Sequence, residues 1–141
     1  VERLTYLISP AKLKQPDHGL PVEVSNLIAL IDALAKHPKN AVVVVESQGR
    51  KSSPAGMGSY RGYYDQLRIE PNGREPKTVA DILKQLRDIR KNGIRGDGGP
   101  YPVNPHTGVW VADYDECSQQ HLSGVRVDGG IVVIMTEERD W

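Results

Sequence analysis

The chain has 141 residues and carries 18 basic and 18 acidic side chains, so its formal net charge is zero. This length predicts a single domain over residues 1–141, and neutrality argues against bulk electrostatic binding to nucleic acid or to an anionic membrane. No apolar run approaches the roughly 20 residues that a membrane-spanning helix needs, and no signal-peptide pattern is visible. The single cysteine, Cys117, forms no disulfide within the chain, which favours a cytoplasmic location.

The N-terminal segment, residues 1–22, is predicted to be an extended arm. Leu4, Tyr6 and Ile8 alternate with other residues as in a short strand, and prolines and a glycine then interrupt regular structure. Such an arm would expose apolar side chains on a lone domain, so it can equally reach across to a second subunit. Residues 23–141 are expected to form the folded core.

The first half of the core is predicted to contain one helix and two strands. Apolar side chains recur at three- and four-residue steps over residues 23–36, which is typical of an amphipathic helix. The β-branched run at residues 41–45 predicts a buried strand. Small and polar residues then predict a loop over residues 47–58, either a surface loop or a lid over a ligand. Leu67 and Ile69 alternate with charged neighbours and predict a half-buried strand.

The second half begins with a helix whose start is marked by Thr78 and Asp81. These residues form a variant of the capping box with Asp in place of Glu, and Gly93 is placed to end the helix. Residues 94–108 are rich in glycine and proline and predict a second irregular loop.

The end of the chain predicts three strands. Residues 109–112 form one, and residues 122–127 and 131–135 form a hairpin around Asp128-Gly129-Gly130. Because a hairpin joins antiparallel strands, we expect an α+β fold: a mostly antiparallel sheet with two amphipathic helices packed on it.

The window from Gly58 to Tyr64 combines aromatic rings, a fixed positive charge and flexible backbone. It holds three of the six tyrosines of the chain, and its candidate ligand-binding residues are Ser59, Tyr60, Arg61, Gly62 and Tyr63. Arginine suits phosphate, tyrosine offers a stacking face, and glycine permits close approach of a ligand. The window therefore predicts a site for a planar anion such as a nucleotide. The alternative is a loop whose tyrosines pack in the core while Arg61 is solvated.

The second irregular loop supplies further candidates for the same site. Arg95, Gly98 and Gly99 repeat the combination of a cation and flexible backbone. Trp110 opens the following strand and either stacks on a ligand ring or packs in the core. Two glycine-rich segments, residues 47–64 and 94–108, each lie at the end of an element, where loops from a rigid sheet can meet around a ligand.

The sequence contains no recognisable catalytic or metal-binding pattern, so we expect neither catalysis nor a cofactor. One alternative is a nucleotide hydrolase, in which Asp113, Asp115 and Glu116 hold a metal and His106 or His121 acts as acid or base. A second alternative is a protein-binding module that uses the tyrosines as interface anchors.

Four segments of the chain together resemble a known family. The string Ser59-Tyr60-Arg61-Gly62-Tyr63-Tyr64, the Thr78-Val79 helix start, the pair Gly98-Gly99 and the run Val109-Trp110-Val111-Ala112 resemble the phage anti-Thoeris "sponge" proteins of the first described type. The similarity covers about residues 42–135, and the first string is its most specific part.

This resemblance implies a non-catalytic protein that binds a cyclic ADP-ribose isomer made by a bacterial defence system. It also implies a homo-oligomer with ligand pockets at subunit interfaces, acting in the host cytoplasm, and some members also bind cyclic di- or trinucleotides. The family pattern often has an aromatic residue before the Gly-Gly pair, where this chain has Ile94 and Arg95. The ligand preference of the second loop is therefore left open.

Overall fold

The computed structural model describes residues 21–62, 64–113 and 119–139. Within them the chain forms two helices and a mostly antiparallel sheet, which confirms the α+β class. Several sequence predictions lie outside the described residues: the arm up to residue 20, and Tyr63, Asp115, Glu116 and Cys117.

The larger sheet is mixed and strongly curled. Its strands follow the order β3-β2-β11-β10-β9-β5-β4, with β1 paired to β10 and β6 paired to β2, while β7 and β8 form a separate hairpin. The β2–β11 and β5–β9 pairs are parallel and the other pairs are antiparallel. The elements are β1 (Val22–Glu23), α1 (Leu27–Leu34), β2 (Val42–Ser47), β3 (Arg50–Ser52), β4 (Met57–Ser59), β5 (Leu67–Ile69), β6 (Lys77–Thr78), α2 (Val79–Asn92), β7 (Ile94–Gly96), β8 (Gly99–Tyr101), β9 (Val109–Val111), β10 (Gln120–Asp128) and β11 (Ile131–Glu138).

Helix α1 is shorter than its apolar pattern predicts, because polar contacts set its start. The Asn26 side chain accepts a hydrogen bond from the Ala29 amide at 2.9 Å and caps the helix. Val22 and Glu23 instead pair with β10. The predicted start at residue 23 is therefore wrong, because Val22 and Glu23 lie in a strand of the sheet and the helix begins only after its cap.

Helix α2 begins and ends as the sequence predicts. The Asp81 amide donates to Thr78 Oγ1 at 3.3 Å, and the Thr78 amide donates to Asp81 Oδ2 at 2.9 Å. Gly93 closes the helix with φ 96°, in the left-handed region that glycine adopts at least cost. The predicted capping box and helix end are confirmed.

One core joins both helices to the sheet. The buried faces of α1 and α2 pack with the inward side chains of the strands, which is the two-layer arrangement of an α+β domain. Its fully buried members include Leu27, Leu30, Leu34, Val43, Val45, Leu67, Ile69, Val79, Ile82, Leu86, Val109, Val111, Leu122 and Ile134.

Both predicted irregular loops contain paired strands, so these predictions are wrong in part. Residues 47–58 include β3, which turns back on β2 through Gln48 and Gly49 with φ 55° and 78°. Residues 94–108 include the β7–β8 hairpin. The sequence hides these strands because each is three residues long and holds at most one large apolar side chain, so no alternation of apolar side chains marks them. Strand β11 also continues to Glu138, three residues beyond its predicted end at residue 135.

Candidate functional site

The two glycine-rich segments are in contact, as the sequence predicts. The Asp97 amide, at the tip of the β7–β8 hairpin, donates to the Gly62 carbonyl oxygen at 2.6 Å. Gly96 packs so closely that a Cβ there would lie 2.7 Å from Ser59 Cβ and 2.8 Å from the Gly62 carbonyl oxygen. A glycine at position 96 is therefore what lets the hairpin approach the turn that follows β4.

The turn at residues 60–62 has a strained backbone that its neighbours hold in place. Arg61 and Gly62 both take left-handed conformations, with φ 59° and 84°. For a residue with a Cβ, such as Arg61, this conformation costs roughly 1–2 kcal/mol. The buried Ser59 hydroxyl donates to the Tyr64 carbonyl oxygen at 2.6 Å and bridges the turn. Ser59 thus acts on the backbone of the turn.

Tyr60 and Trp110 stack on each other in a small second core. Their ring centroids are 4.8 Å apart with an interplanar angle of 6°, and their side chains are 0% and 3% exposed. The Arg61 guanidinium carbon lies 5.3 Å from the Tyr60 ring centroid and 5.8 Å from that of Tyr64. The structure therefore matches the alternative reading, in which these aromatic residues pack inside. A direct ligand contact by the Tyr60 or Trp110 ring would require the stack to open.

An open cleft of about 490 Å³ lies between the end of α2 and the β7–β8 hairpin. Of the predicted site residues, Arg95 and Gly99 line this cleft, whereas Gly98 sits at the hairpin tip with φ 83° and no atom near its missing Cβ. The other lining residues, which sequence reasoning did not single out, are Met57, Gln85, Asp88, Ile89, Asn92, Gly93, Gly96 and Pro100.

The cleft offers three kinds of contact. Arg95 is exposed and supplies a guanidinium that suits phosphate. Gln85, Asp88 and Asn92 project hydrogen-bonding groups from successive turns of α2, and Asn92 Nδ2 donates to Asp88 Oδ1 at 2.7 Å. Met57 and Ile89 add apolar surface. Together these groups match a ligand that combines anionic, hydroxyl and apolar parts.

A second cleft, of about 390 Å³, surrounds His121. His106 and His121, the acid or base candidates of the hydrolase hypothesis, both line it. His121 is 3% exposed, and its ring meets the Trp110 ring edge-on with centroids 4.6 Å apart. Burial lowers the pKa of His121, more than hydrogen bonding to the Leu122 carbonyl raises it. No sequence signal marks this cleft, because pairing of β9 with β10 creates it.

The described residues contain no group of three or more His, Cys, Asp or Glu side chains arranged to hold a metal ion. Asp113 is exposed, and Asn72 Nδ2 donates to its Oδ1 at 3.2 Å. Among the same residues, no helix is long and apolar enough to cross a membrane.

Comparison of the chain with protein-family models, with curated protein sequences and with solved structures gives no match. The resemblance carried by residues 59–64 therefore stays a hypothesis.

Proposed function

We propose that the chain binds a nucleotide-type immune signal in the Arg95 cleft and sequesters it without chemical change. The signal is a cyclic ADP-ribose isomer or a cyclic di- or trinucleotide, and its removal counteracts bacterial anti-phage defence. The observation that carries this proposal is a cleft of about 490 Å³ beside the contact of the two glycine-rich segments. Ligand sites for small molecules commonly have about 300–1,000 Å³.

The groups around the cleft support a ligand of the ADP-ribose type. Arg95 suits the pyrophosphate, because its guanidinium forms paired hydrogen bonds with phosphate oxygens. Asp88 and Asn92 suit ribose hydroxyls, which donate to a carboxylate and exchange hydrogen bonds with an amide. Met57 and Ile89 offer apolar surface for a base. We expect the phosphate end near the hairpin, because the carboxylate of Asp88 and the carbonyl end of α2 repel anions.

Sequestration is favoured over turnover by the kinds of side chain that line the cleft. Among the common nucleophiles and bases, its described lining includes no His, Cys, Ser or Lys side chain, and Asp88 is its one carboxylate, which already accepts a hydrogen bond from Asn92. A protein that withholds a signal needs slow release, and burial with charge pairing supplies it. The resemblance to anti-Thoeris sponges supports the same reading.

The first experiment tests binding and the fate of the ligand. Protein is incubated with cyclic ADP-ribose isomers and cyclic di- and trinucleotides, melting is monitored, and the ligand released by heat is analysed by mass spectrometry. We expect one ligand class to raise the melting temperature and to be recovered intact. Recovery of a cleaved product, above all with magnesium, would establish the hydrolase alternative instead. Binding of a host protein without any small ligand would establish the protein-binding module.

The second experiment locates the site with matched arginine variants. Arg95→Ala is expected to weaken binding by roughly 10- to 100-fold, since hydrogen bonds to charged groups contribute about 1.5–3 kcal/mol. Arg87→Ala removes the same charge from an exposed position on α2 outside the cleft lining, and it should bind as wild type. Equal loss in both variants would contradict a specific Arg95 contact.

Arg61 is expected to contribute as the phosphate contact of the adjoining turn. Loss of one half of a buried charge pair costs roughly 2–5 kcal/mol, so Arg61→Ala should reduce affinity by that amount in calorimetry. Its guanidinium lies over the Tyr60 and Tyr64 rings, and Gly62 of the same turn bonds to the hairpin that carries Arg95. An unchanged affinity would remove Arg61 from the site.

We also propose that the chain forms homo-oligomers in the host cytoplasm, with the Arg95 cleft completed by a neighbouring subunit. Asp88 and Arg95 are exposed on a single chain, so a second subunit has room to cover the bound ligand. Light scattering should give a mass above that of the 15.6 kDa chain. A monomer that binds the ligand at full affinity would contradict the shared pocket.

A further inference from the structure

We propose that the cleft around His121 is a second binding site, specific for a protonated oxyanion of the phosphate class. It shares no lining residue with the Arg95 cleft. No carboxylate is among its described lining residues, whereas a guanidinium is. These residues are Ser25, Asn26, Gln66, Pro105, His106, Gly108, Trp110, His121 and Arg139.

His121 presents a hydrogen-bond acceptor to this cleft. Its Nδ1 lies 2.9 Å from the Leu122 carbonyl oxygen, and a carbonyl oxygen only accepts, so Nδ1 carries the proton. In the neutral ring Nε2 then has a lone pair. Within the part of the chain that the structure describes, no hydrogen bond to Nε2 is recorded, although the side chain is 3% exposed. Nε2 lies beside Gly108 in the lining of the open cleft, so a ligand group that donates a proton can reach it.

Hydrogen-bond donors line the same cleft. Gln66 Oε1 accepts from the Trp110 indole N–H, which fixes the amide and leaves its NH₂ group as a donor. Asn26 Oδ1 is likewise occupied by the Ala29 amide, so its NH₂ group remains. Arg139 adds a positive charge at the exposed side of the cleft. The amide donors of Gln66 and Asn26, together with the charged guanidinium of Arg139, suit the oxygens of an anion.

Gly108 keeps this arrangement accessible. A Cβ at this position would lie 2.9 Å from His121 Nε2 and 3.0 Å from Gln66 Oε1. Any other residue would therefore crowd both groups. Glu137 is the cross-strand partner of His121, and its negative charge disfavours an anion near the ring. The positive charge of Arg139 acts in the opposite direction and favours one.

One acceptor among several donors distinguishes phosphate from sulfate. A phosphate monoester loses its second proton near pH 6, so at that pH it still offers an O–H that donates to Nε2 while its other oxygens accept. Sulfate has no such proton and meets the Nε2 lone pair with a lone pair. The site should therefore bind protonated phosphate in preference to sulfate, which has a similar size but no proton to donate.

The test is a titration of the wild-type chain at pH 6 with ionic strength held constant. Inorganic phosphate and sulfate are added in separate arms, and the His121 imidazole nitrogens are followed by NMR. Adenosine monophosphate and adenosine form two further arms, which separate a phosphate carried by a nucleotide from free phosphate. We expect phosphate to shift Nε2, with sulfate at least about tenfold weaker, the difference that one charged hydrogen bond makes.

Gln66→Glu is the deciding variant because it preserves the fold contact. The new carboxylate can still accept the hydrogen bond from the Trp110 indole N–H. The substitution removes the NH₂ group of Gln66 as a donor and adds a negative charge beside the anion. Phosphate affinity should fall by at least about tenfold. Gln85→Glu makes the same change in the Arg95 cleft and should leave the phosphate shift at His121 unchanged.

Three outcomes would overturn the proposal. They are no shift of His121 at tens of millimolar phosphate in the folded protein, equal binding of phosphate and sulfate, or wild-type phosphate affinity in Gln66→Glu. Arg139→Gln, an exposed change that leaves the core intact, serves as an independent check and should also weaken phosphate binding.

Discussion

At the scale of single residues, Gly96 decides whether the two glycine-rich segments can touch. Besides Ser59 and Gly62, a Cβ at this position would meet Tyr101 Cε2 at 2.7 Å. Contacts under 3 Å between carbon atoms force neighbours to move, which costs about 1–3 kcal/mol in a packed region. Gly96 is therefore a packing requirement of the candidate site, whereas Gly98 at the hairpin tip has open space around it.

Gly96→Ala should lower the free energy of unfolding by about 1–3 kcal/mol and speed hydrogen exchange of the Asp97 amide, which donates to Gly62. Denaturant unfolding and exchange NMR measure the two effects. Gly98→Ala is the control, because its new Cβ meets no atom. The φ of 83° at this position should lower the free energy of unfolding by about 1 kcal/mol, while the Asp97 amide stays protected from exchange. Equal exchange rates in the two variants would contradict the packing role of Gly96.

At the scale of elements, the two helices differ in what fixes their ends. α2 carries a complete capping box and a closing glycine, so its bounds follow from a few adjacent residues. The start of α1 is set by its cap residue Asn26. The backbone of Asn26 also pairs with that of Gly108 in a single antiparallel β-bridge, which joins the cap to the segment before β9. The start of α1 therefore depends on residues far away in sequence.

Thr78→Ala should destabilise the protein by about 1 kcal/mol, because it leaves the Asp81 amide without its side-chain acceptor. Chemical denaturation is the measurement. Lys84→Ala, an exposed change farther along α2, should stay within about 0.5 kcal/mol of wild type. If both variants unfold alike, the capping box does not stabilise α2.

At the scale of the whole molecule, an ionic bridge covers the face of the sheet opposite the helices. Arg126 on β10 reaches across β11 to Glu46 on β2, with nitrogen–oxygen distances of 2.7 and 3.1 Å, and also contacts Asp128 at 2.9 Å. Val133 is the cross-strand partner of Arg126, is 1% exposed and lies outside the main core cluster. The stem of Arg126 thus shields apolar surface while its head joins two non-adjacent strands.

Arg126→Ala should cost about 1–2 kcal/mol, since it breaks a half-buried bidentate pair and uncovers Val133. Lys51→Ala removes only the exposed contact to Asp128 and should cost less than about 0.5 kcal/mol. Urea unfolding of both variants measures the difference. A larger loss for Lys51→Ala would contradict the bridging role of Arg126.

The same bridge predicts loss of stability in acid. Hydrogen bonding from Arg126 lowers the pKa of Glu46 below its usual 4.5 and lowers that of Asp128 as well. A carboxyl with a lowered folded-state pKa stabilises the protein above its unfolded pKa, and this contribution disappears as the pH falls through the folded value. Unfolding free energy should therefore decline below about pH 5, and Glu46→Gln should flatten that decline. A curve as steep in Glu46→Gln as in wild type would disprove the link.

The sequence by itself determined the α+β class, helix α2 with its box and closing glycine, the 128–130 hairpin and the inward positions of Leu67 and Ile69. These features are local, because capping and turn chemistry and apolar periodicity each need only a few neighbouring residues. Tertiary structure decided that Tyr60 and Trp110 stack on each other, which depends on the pairing of β4 with β5 and of β5 with β9. It also decided that Arg95 faces a cleft with α2 and that His121 lies with Gln66 and Arg139. Such proximities depend on which strands pair, and no local pattern encodes that choice.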